Sequence, residues 1–174
     1  MDKLNEYKEI YYKELEFKDS MNGKTGNSIT FLTILCTGHV YMFNIVVRLD
    51  FVFCILPILF TIFEGISVFY TALSILNFYR SYHNYEYKYI SIEDTYIRIN
   101  ENEKLKNYYS DIEINSANCN MLSDSFIKNA INNREENMRK SENQMKLSSS
   151  IIKAIVSLIS TYVFWIFFIN RIFY

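Results

Sequence analysis

The sequence predicts an all-α integral membrane protein with three transmembrane helices and a layer of cytoplasmic helices, and three observations predict it. Of the 174 residues, 50% are apolar and 21% charged, greasier than is usual for a small soluble domain. The apolar residues gather in three blocks, residues 28–47, 51–79 and 151–174, while Lys, Glu, Asn and Tyr fill the rest. Each block reaches the roughly 20 residues that a helix needs to cross a hydrocarbon core of about 30 Å. The polar remainder offers too little apolar surface to wrap three helices that are hydrophobic nearly all round, which disfavours buried core helices of a soluble protein.

Four segments follow. Residues 1–27 form a cytoplasmic segment whose first part, residues 2–19, reads as an amphipathic helix with Leu4, Tyr7, Tyr11 and Leu15 at helical spacing. Met21-Asn22-Gly23-Lys24-Thr25-Gly26-Asn27 then predicts a loop, since two glycines stand among polar residues. The alternation of Lys and Glu ahead of the first apolar block is unlike a cleavable secretory signal, so the first span is expected in the mature protein. Residues 28–79 form a transmembrane hairpin with a tight link at Arg48–Asp50, and Pro57 is expected to kink its second helix.

Residues 80–150 are expected to be a cytoplasmic helical region. It opens on a tyrosine-dense run, Tyr82 to Tyr89, suited to the headgroup level, with a base-stacking or ligand surface as the other reading. Ser91 followed by Glu93 and Asp94 reads as a helix start, the helix running to about Tyr109. From about Leu122 a helical pattern resumes and is expected to continue into the third span, residues 151–174. Ser148-Ser149-Ser150 marks the expected bend or new cap, and the polar stretch around Asn129 to Gln144 keeps no heptad seam.

Basic residues set the orientation. Lys8, Lys13, Lys18 and Lys24 precede the first block, Arg80, Lys88 and Arg98 follow the second, and Arg134, Arg139, Lys140, Lys146 and Lys153 lead into the third; against them stand Arg48 and Arg171. The positive-inside rule places the N-terminus and the central region in the cytoplasm and the C-terminus outside, as a multi-pass protein of the cell inner membrane. Cys36, Cys54 and Cys119 have no paired spacing and read as packing residues. Acids and bases are mixed, so no basic patch suggests nucleic acid.

No Gly-rich phosphate loop, metal-spaced His pair or nucleophile elbow is present, so no catalytic residue, cofactor or metal site is expected and the chain is not read as an enzyme, an intramembrane enzyme being the alternative. Polar stripes inside the spans are the distinctive feature. Thr30, Thr33, Thr37, Tyr41 and Asn44 fall within about 80° of arc on the first span, and Glu64, Ser67, Thr71 and Ser74 within a similar arc on the second. Ser150, Ala154, Ser157, Ser160 and Thr161 make a small-residue face on the third. Such stripes serve as interhelical glue or as a wetted path through an oligomer. Glu64 is expected to lie near Thr33 and Thr37, hydrogen-bonded by their hydroxyls, neutral in a closed state and lining water in an open one. His39 lies about 180° from the stripe of its own helix, which disfavours a pairing with Glu64. Asn133, Asn137 and Lys140 share one helix face and are expected to contact the N-terminal helix or a second subunit.

Glu6-Tyr7-Lys8-Glu9, Tyr11-Tyr12, Glu14-Leu15-Glu16, Phe78-Tyr79-Arg80-Ser81-Tyr82, Tyr87-Lys88-Tyr89-Ile90, and Asn133 and Asn137 ahead of Lys140-Ser141 together resemble a group of uncharacterised small bacterial multi-span membrane proteins. The layout is similar to that of the SLATT-type and Pycsar-type transmembrane effectors of nucleotide-signalling anti-phage systems. That resemblance carries no catalytic motif. It implies a homo-oligomer in the lipid bilayer that permeabilises or depolarises it on a cytoplasmic signal, from a signalling partner or a nucleotide second messenger. The alternative is a non-enzymatic membrane anchor or scaffold that recruits a cytoplasmic partner.

Overall fold

A computed structural model describes residues 2–48, 55–83 and 85–172, and every regular element among them is helical. In order these are α1 (Asp2–Arg48), α2 (Ile55–Tyr82), α3 (Ile92–Glu103), a short 3-10 turn (Lys104–Asn107) and α4 (Asp111–Ile172). Among the described residues two helices hold a stretch long and apolar enough to cross a membrane, α2 over Ile58–Tyr82 and α4 within Asp111–Phe167. The third expected span, residues 28–47, lies in α1 and is not one of the two. Its apolar end, Ile45-Val46-Val47, has side chains outside those described. The expected link runs into Leu49 and Asp50, which with Cys54 lie outside the described residues.

The loop expected at residues 21–27 is helix instead, because α1 runs through it. A helical glycine costs about 1 kcal/mol relative to alanine, a modest penalty against the burial of Met21 and Thr25, each 1% exposed and one turn apart. Neither Gly23 nor Gly26 is needed for a close approach, since nothing would meet a Cβ there within 4 Å. Pro57 falls three residues into the described part of α2, and the turn before it, on which the expected kink depends, lies outside the described residues.

Ser91 caps α3 as expected, its hydroxyl accepting from the Asp94 N–H at 3.1 Å, but α3 ends at Glu103 and tightens into the 3-10 turn. α4 starts eleven residues before the expected Leu122. Its start is a capping box: the Glu113 carboxylate accepts from the Ser110 N–H at 2.9 Å while the Ser110 hydroxyl accepts from the Glu113 N–H at 3.4 Å. Ser148-Ser149-Ser150 caps no new helix, since α4 runs through it without a break; Ser150 donates to the Leu147 carbonyl at 2.9 Å within the helix.

The chain divides into two compact units, Met1–Met21 with Tyr85–Lys140, and Asn22–Asn84 with Ser141–Tyr174, so α1 and α4 contribute to both. The expected division at residues 27, 79 and 150 follows hydropathy; the packing divides a few residues away from each of these. In the first unit Tyr11 is 4% exposed and meets the Phe126 ring edge-on at 5.5 Å. Ile114 and Ala130 are also buried there, and Leu4, Tyr7 and Leu15 are half-buried on the helix face of Tyr11. In the second unit Leu32 and Leu35 of α1 pack with Leu147, Ile151 and Ala154 of α4, and with Tyr70 and Phe78 of α2. Gly38 permits this closeness: a Cβ there would lie 2.8 Å from the Leu158 Cδ2.

Candidate functional site

The second unit places three polar side chains in series between α1 and α2. His39 Nδ1 lies 2.7 Å from Glu64 Oε1, and His39 Nε2 lies 2.9 Å from Thr71 Oγ1. Helix periodicity explains the spacing, since Glu64 and Thr71 are seven residues apart, two turns on one face of α2, and a single imidazole reaches both. Glu64 and His39 are only 16% and 13% exposed, and Glu64 Oε2 is buried with no hydrogen-bond partner among the described residues.

This arrangement corrects two expectations. His39 was placed away from Glu64 on the premise that the polar stripes of α1 and α2 face each other. Instead α1 turns inward the face carrying Leu32, Leu35, His39 and Met42, and Thr30, Thr33, Thr37, Tyr41 and Asn44 are exposed. Thr33 and Thr37 do not bond Glu64. Their hydroxyls donate to the carbonyls of Ile29 and Thr33, each at 2.9 Å, which satisfies them without a neighbouring helix. The missed signal was the apolar arc around His39, which gives α1 its packing face and carries the imidazole inward.

The inward stripes of α2 and α4 fall where their periodicity put them. Ser67, Thr71 and Ser74 are buried, as are Ser150, Ala154 and Thr161. Ser67 donates to the Ala154 carbonyl at 3.1 Å, and the Asn77 amide donates to Ser150 Oγ at 3.4 Å. The remaining hydroxyls turn to their own helices, Ser74 to the Tyr70 carbonyl and Thr161 to the Ser157 carbonyl.

His39 Nδ1 and Glu64 Oε1 are close enough to share a proton. With one proton between them the pair is either an imidazolium beside a carboxylate or a neutral imidazole beside a carboxylic acid, and neither form leaves a net charge in apolar surroundings. In both forms Nε2 keeps its proton and donates to the Thr71 hydroxyl, while Nδ1 donates to the carboxylate as imidazolium and accepts from the carboxylic acid as neutral imidazole. Moving the shared proton between Nδ1 and Oε1 reverses that hydrogen bond without moving a heavy atom. Among the described residues no three His, Cys, Asp or Glu side chains gather to hold a metal ion.

In the first unit the predicted face of Asn133, Asn137 and Lys140 is buried, at 0%, 1% and 3% exposure. Asn133 clamps the extended backbone at Lys88 as a neighbouring strand would, accepting from its N–H at 2.8 Å and donating to its carbonyl at 3.0 Å. Asn137 accepts from the Tyr87 hydroxyl at 2.9 Å and donates to the Glu14 carbonyl of α1 at 2.8 Å. Lys140 sits over the Tyr85 ring, 5.2 Å from its centroid, and burial pushes its amine below the usual lysine range. Asn132 adds a bond to the Glu86 carbonyl at 3.0 Å. The tyrosine run read as an interfacial belt thus begins an extended segment held by asparagine side chains.

No family model, curated protein or solved structure matches this chain.

Proposed function

We propose that the chain is a multi-pass protein of the cell inner membrane, with three spans, a cytoplasmic N-terminus and an external C-terminus. It acts as an oligomeric effector that depolarises the bilayer when its cytoplasmic part receives a signal. The observation that carries this reading is the His39–Glu64–Thr71 series, two ionisable groups and a hydroxyl hydrogen-bonded in line between helices that are otherwise apolar. Ionisable side chains at such depth are costly and mark ion or proton pathways more often than packing. The outward faces support a lipid setting: Val40, Phe43, Phe69 and Phe167 are each more than 60% exposed, a pattern that water penalises and acyl chains accept. The similarity in layout to anti-phage effectors supports a role in defence.

The series passes protons rather than hydrated ions, since its members are in direct contact. Glu64→Gln retains the shape and one hydrogen bond but removes the shared proton. Induced expression of the parent is expected to collapse the membrane potential, read with a voltage-sensitive dye, and the variant to reduce proton flux at least about tenfold (the scale set by about 1.4 kcal/mol) at equal membrane content. Equal flux from parent and variant would make the series structural and end the proposal.

A second reading, a non-enzymatic anchor recruiting a cytoplasmic partner, draws on Tyr96, Tyr108, Tyr109 and Ile112, exposed by 55–81% in the first unit. Harmless overexpression with a co-purifying protein favours it.

A further inference from the structure

The serine run inside α4 has another use. Ser141, Gln144 and Ser148 of α4 line one cavity of about 570 Å³ together with Lys24 and Ser28 of α1 and Lys153 of α4. Ser149 and the apolar Leu147, Met145 and Ile152 complete its walls. Lys24 has no ion-pair partner among the described residues, and Lys153 has only the Tyr70 ring, 5.6 Å from its ammonium. The hydroxyls of Ser141, Ser148 and Ser149 make no hydrogen bond among the described residues. Two unneutralised ammonium groups and three free hydroxyls around one hollow are the donors a phosphate requires.

The position of the hollow narrows the ligand further. Lys24 stands four residues before the apolar block that begins at Ser28, and Lys153 stands at the start of the block that begins at Ile151. Both therefore mark a polar-to-apolar boundary, on two helices that share the cavity. Ile152 of the apolar wall is 61% exposed, and beyond the cavity, one residue after Ser28 and four after Ile152, Ile29 and Val156 are 51% and 58% exposed. A soluble phosphate would use the donors and leave that apolar wall idle. A phospholipid uses both, its headgroup between the lysines and its acyl chains along the isoleucines and valine.

Resting on the membrane reading above, we propose that this cavity is a binding site for an anionic phospholipid at the cytoplasmic surface, with Lys24 and Lys153 holding the phosphate and Ser141, Ser148 and Ser149 donating to it. Phosphate chemistry is shared by lipid headgroups and free phosphate esters, and the lipid is the assigned source.

The test uses the full chain in nanodiscs of mixed phosphatidylglycerol and phosphatidylcholine, followed by mass spectrometry of the lipid that stays bound. Phosphatidylglycerol is expected to be retained preferentially, with Lys24→Gln and Lys153→Gln each lowering the preference about fivefold and the double variant about 25-fold. Lys106→Gln, a surface change outside the cavity, is expected to leave it unaltered. Glycerol 3-phosphate at millimolar concentration is expected not to compete. Absence of preference in the parent, an unchanged preference in the double variant, or full displacement by glycerol 3-phosphate would each overturn the lipid assignment. Alkaline carbonate washing of membranes separates the two levels: release of the chain ends the membrane reading, whereas retention without lipid preference ends this inference alone.

Discussion

His39 bonds at both ring nitrogens, so its tautomer is coupled to the proton on Glu64, and neither side chain can be altered without changing what the other can hold. Tyr87 shows the same dependence of charge on surroundings outside the apolar blocks, in a form that titration reads. Burial, reinforced by the nearby Glu136 carboxylate, pushes its phenol up to about 12. The fold thus favours the protonated phenol. Its contribution to stability is intact below the unfolded value of about 10 and is lost as the pH rises from there through about 12. The depressed Lys140 amine acts in the opposite sense, adding stability as pH rises toward the ordinary lysine value. Unfolding of Tyr87→Phe is expected to lack the parent's loss between about pH 10 and 12, compared by denaturant titration at each pH. Parallel curves would show that the phenol is not protected in the fold. Of the residues in the candidate site, periodicity found Glu64 and Thr71 and missed His39. The arc that faces inward on α1 is chosen by packing with the other helices, and hydroxyls that bond their own backbone give no pull toward a partner.

Asparagine side chains do in the first unit what a neighbouring strand does in a sheet. The segment from Tyr85 to Ser91 has no backbone ladder among the described residues; α4 supplies backbone partners through Asn132 and Asn133, and Asn137 accepts from the Tyr87 hydroxyl. Asn137→Ala removes the donor to the Glu14 carbonyl and the acceptor of the Tyr87 hydroxyl at once. It is expected to cost about 1–3 kcal/mol and to speed hydrogen exchange at Lys88 and Ile90, measured by mass spectrometry. Unchanged exchange there would mean that the segment is held by other contacts. The shared face of Asn133, Asn137 and Lys140 was visible from spacing alone, whereas its partner was not, because an extended segment without alternation carries no periodic signal. Helix starts were visible where a cap stands alone before acids, as at Ser91. The Ser110 start was overlooked although Glu113 completes its box, because the apolar pattern that usually follows such a box is absent there.

For the whole molecule, hydropathy revealed the helical class and two of the apolar stretches, while the path of α1 through two glycines and a histidine depends on tertiary burial that composition does not report. Topology is the decisive measurement. A reporter fused after Asn118 is expected to read cytoplasmic and one after Tyr174 external; the same side for both would leave an even number of crossings and remove the three-span arrangement. The division of the chain into interleaved units also bears on how it is made. Tyr11 leaves the ribosome roughly 115 residues ahead of Phe126, the ring it packs against. At about 5–20 residues per second that interval lasts about 6–23 s, with the first two apolar blocks synthesised inside it. Throughout it the amphipathic face of Leu4, Tyr7, Tyr11 and Leu15 has no native cover, so the nascent chain depends on a chaperone or on the membrane surface to shield it, and a transcript cut short before Phe126 yields a product that never buries that face.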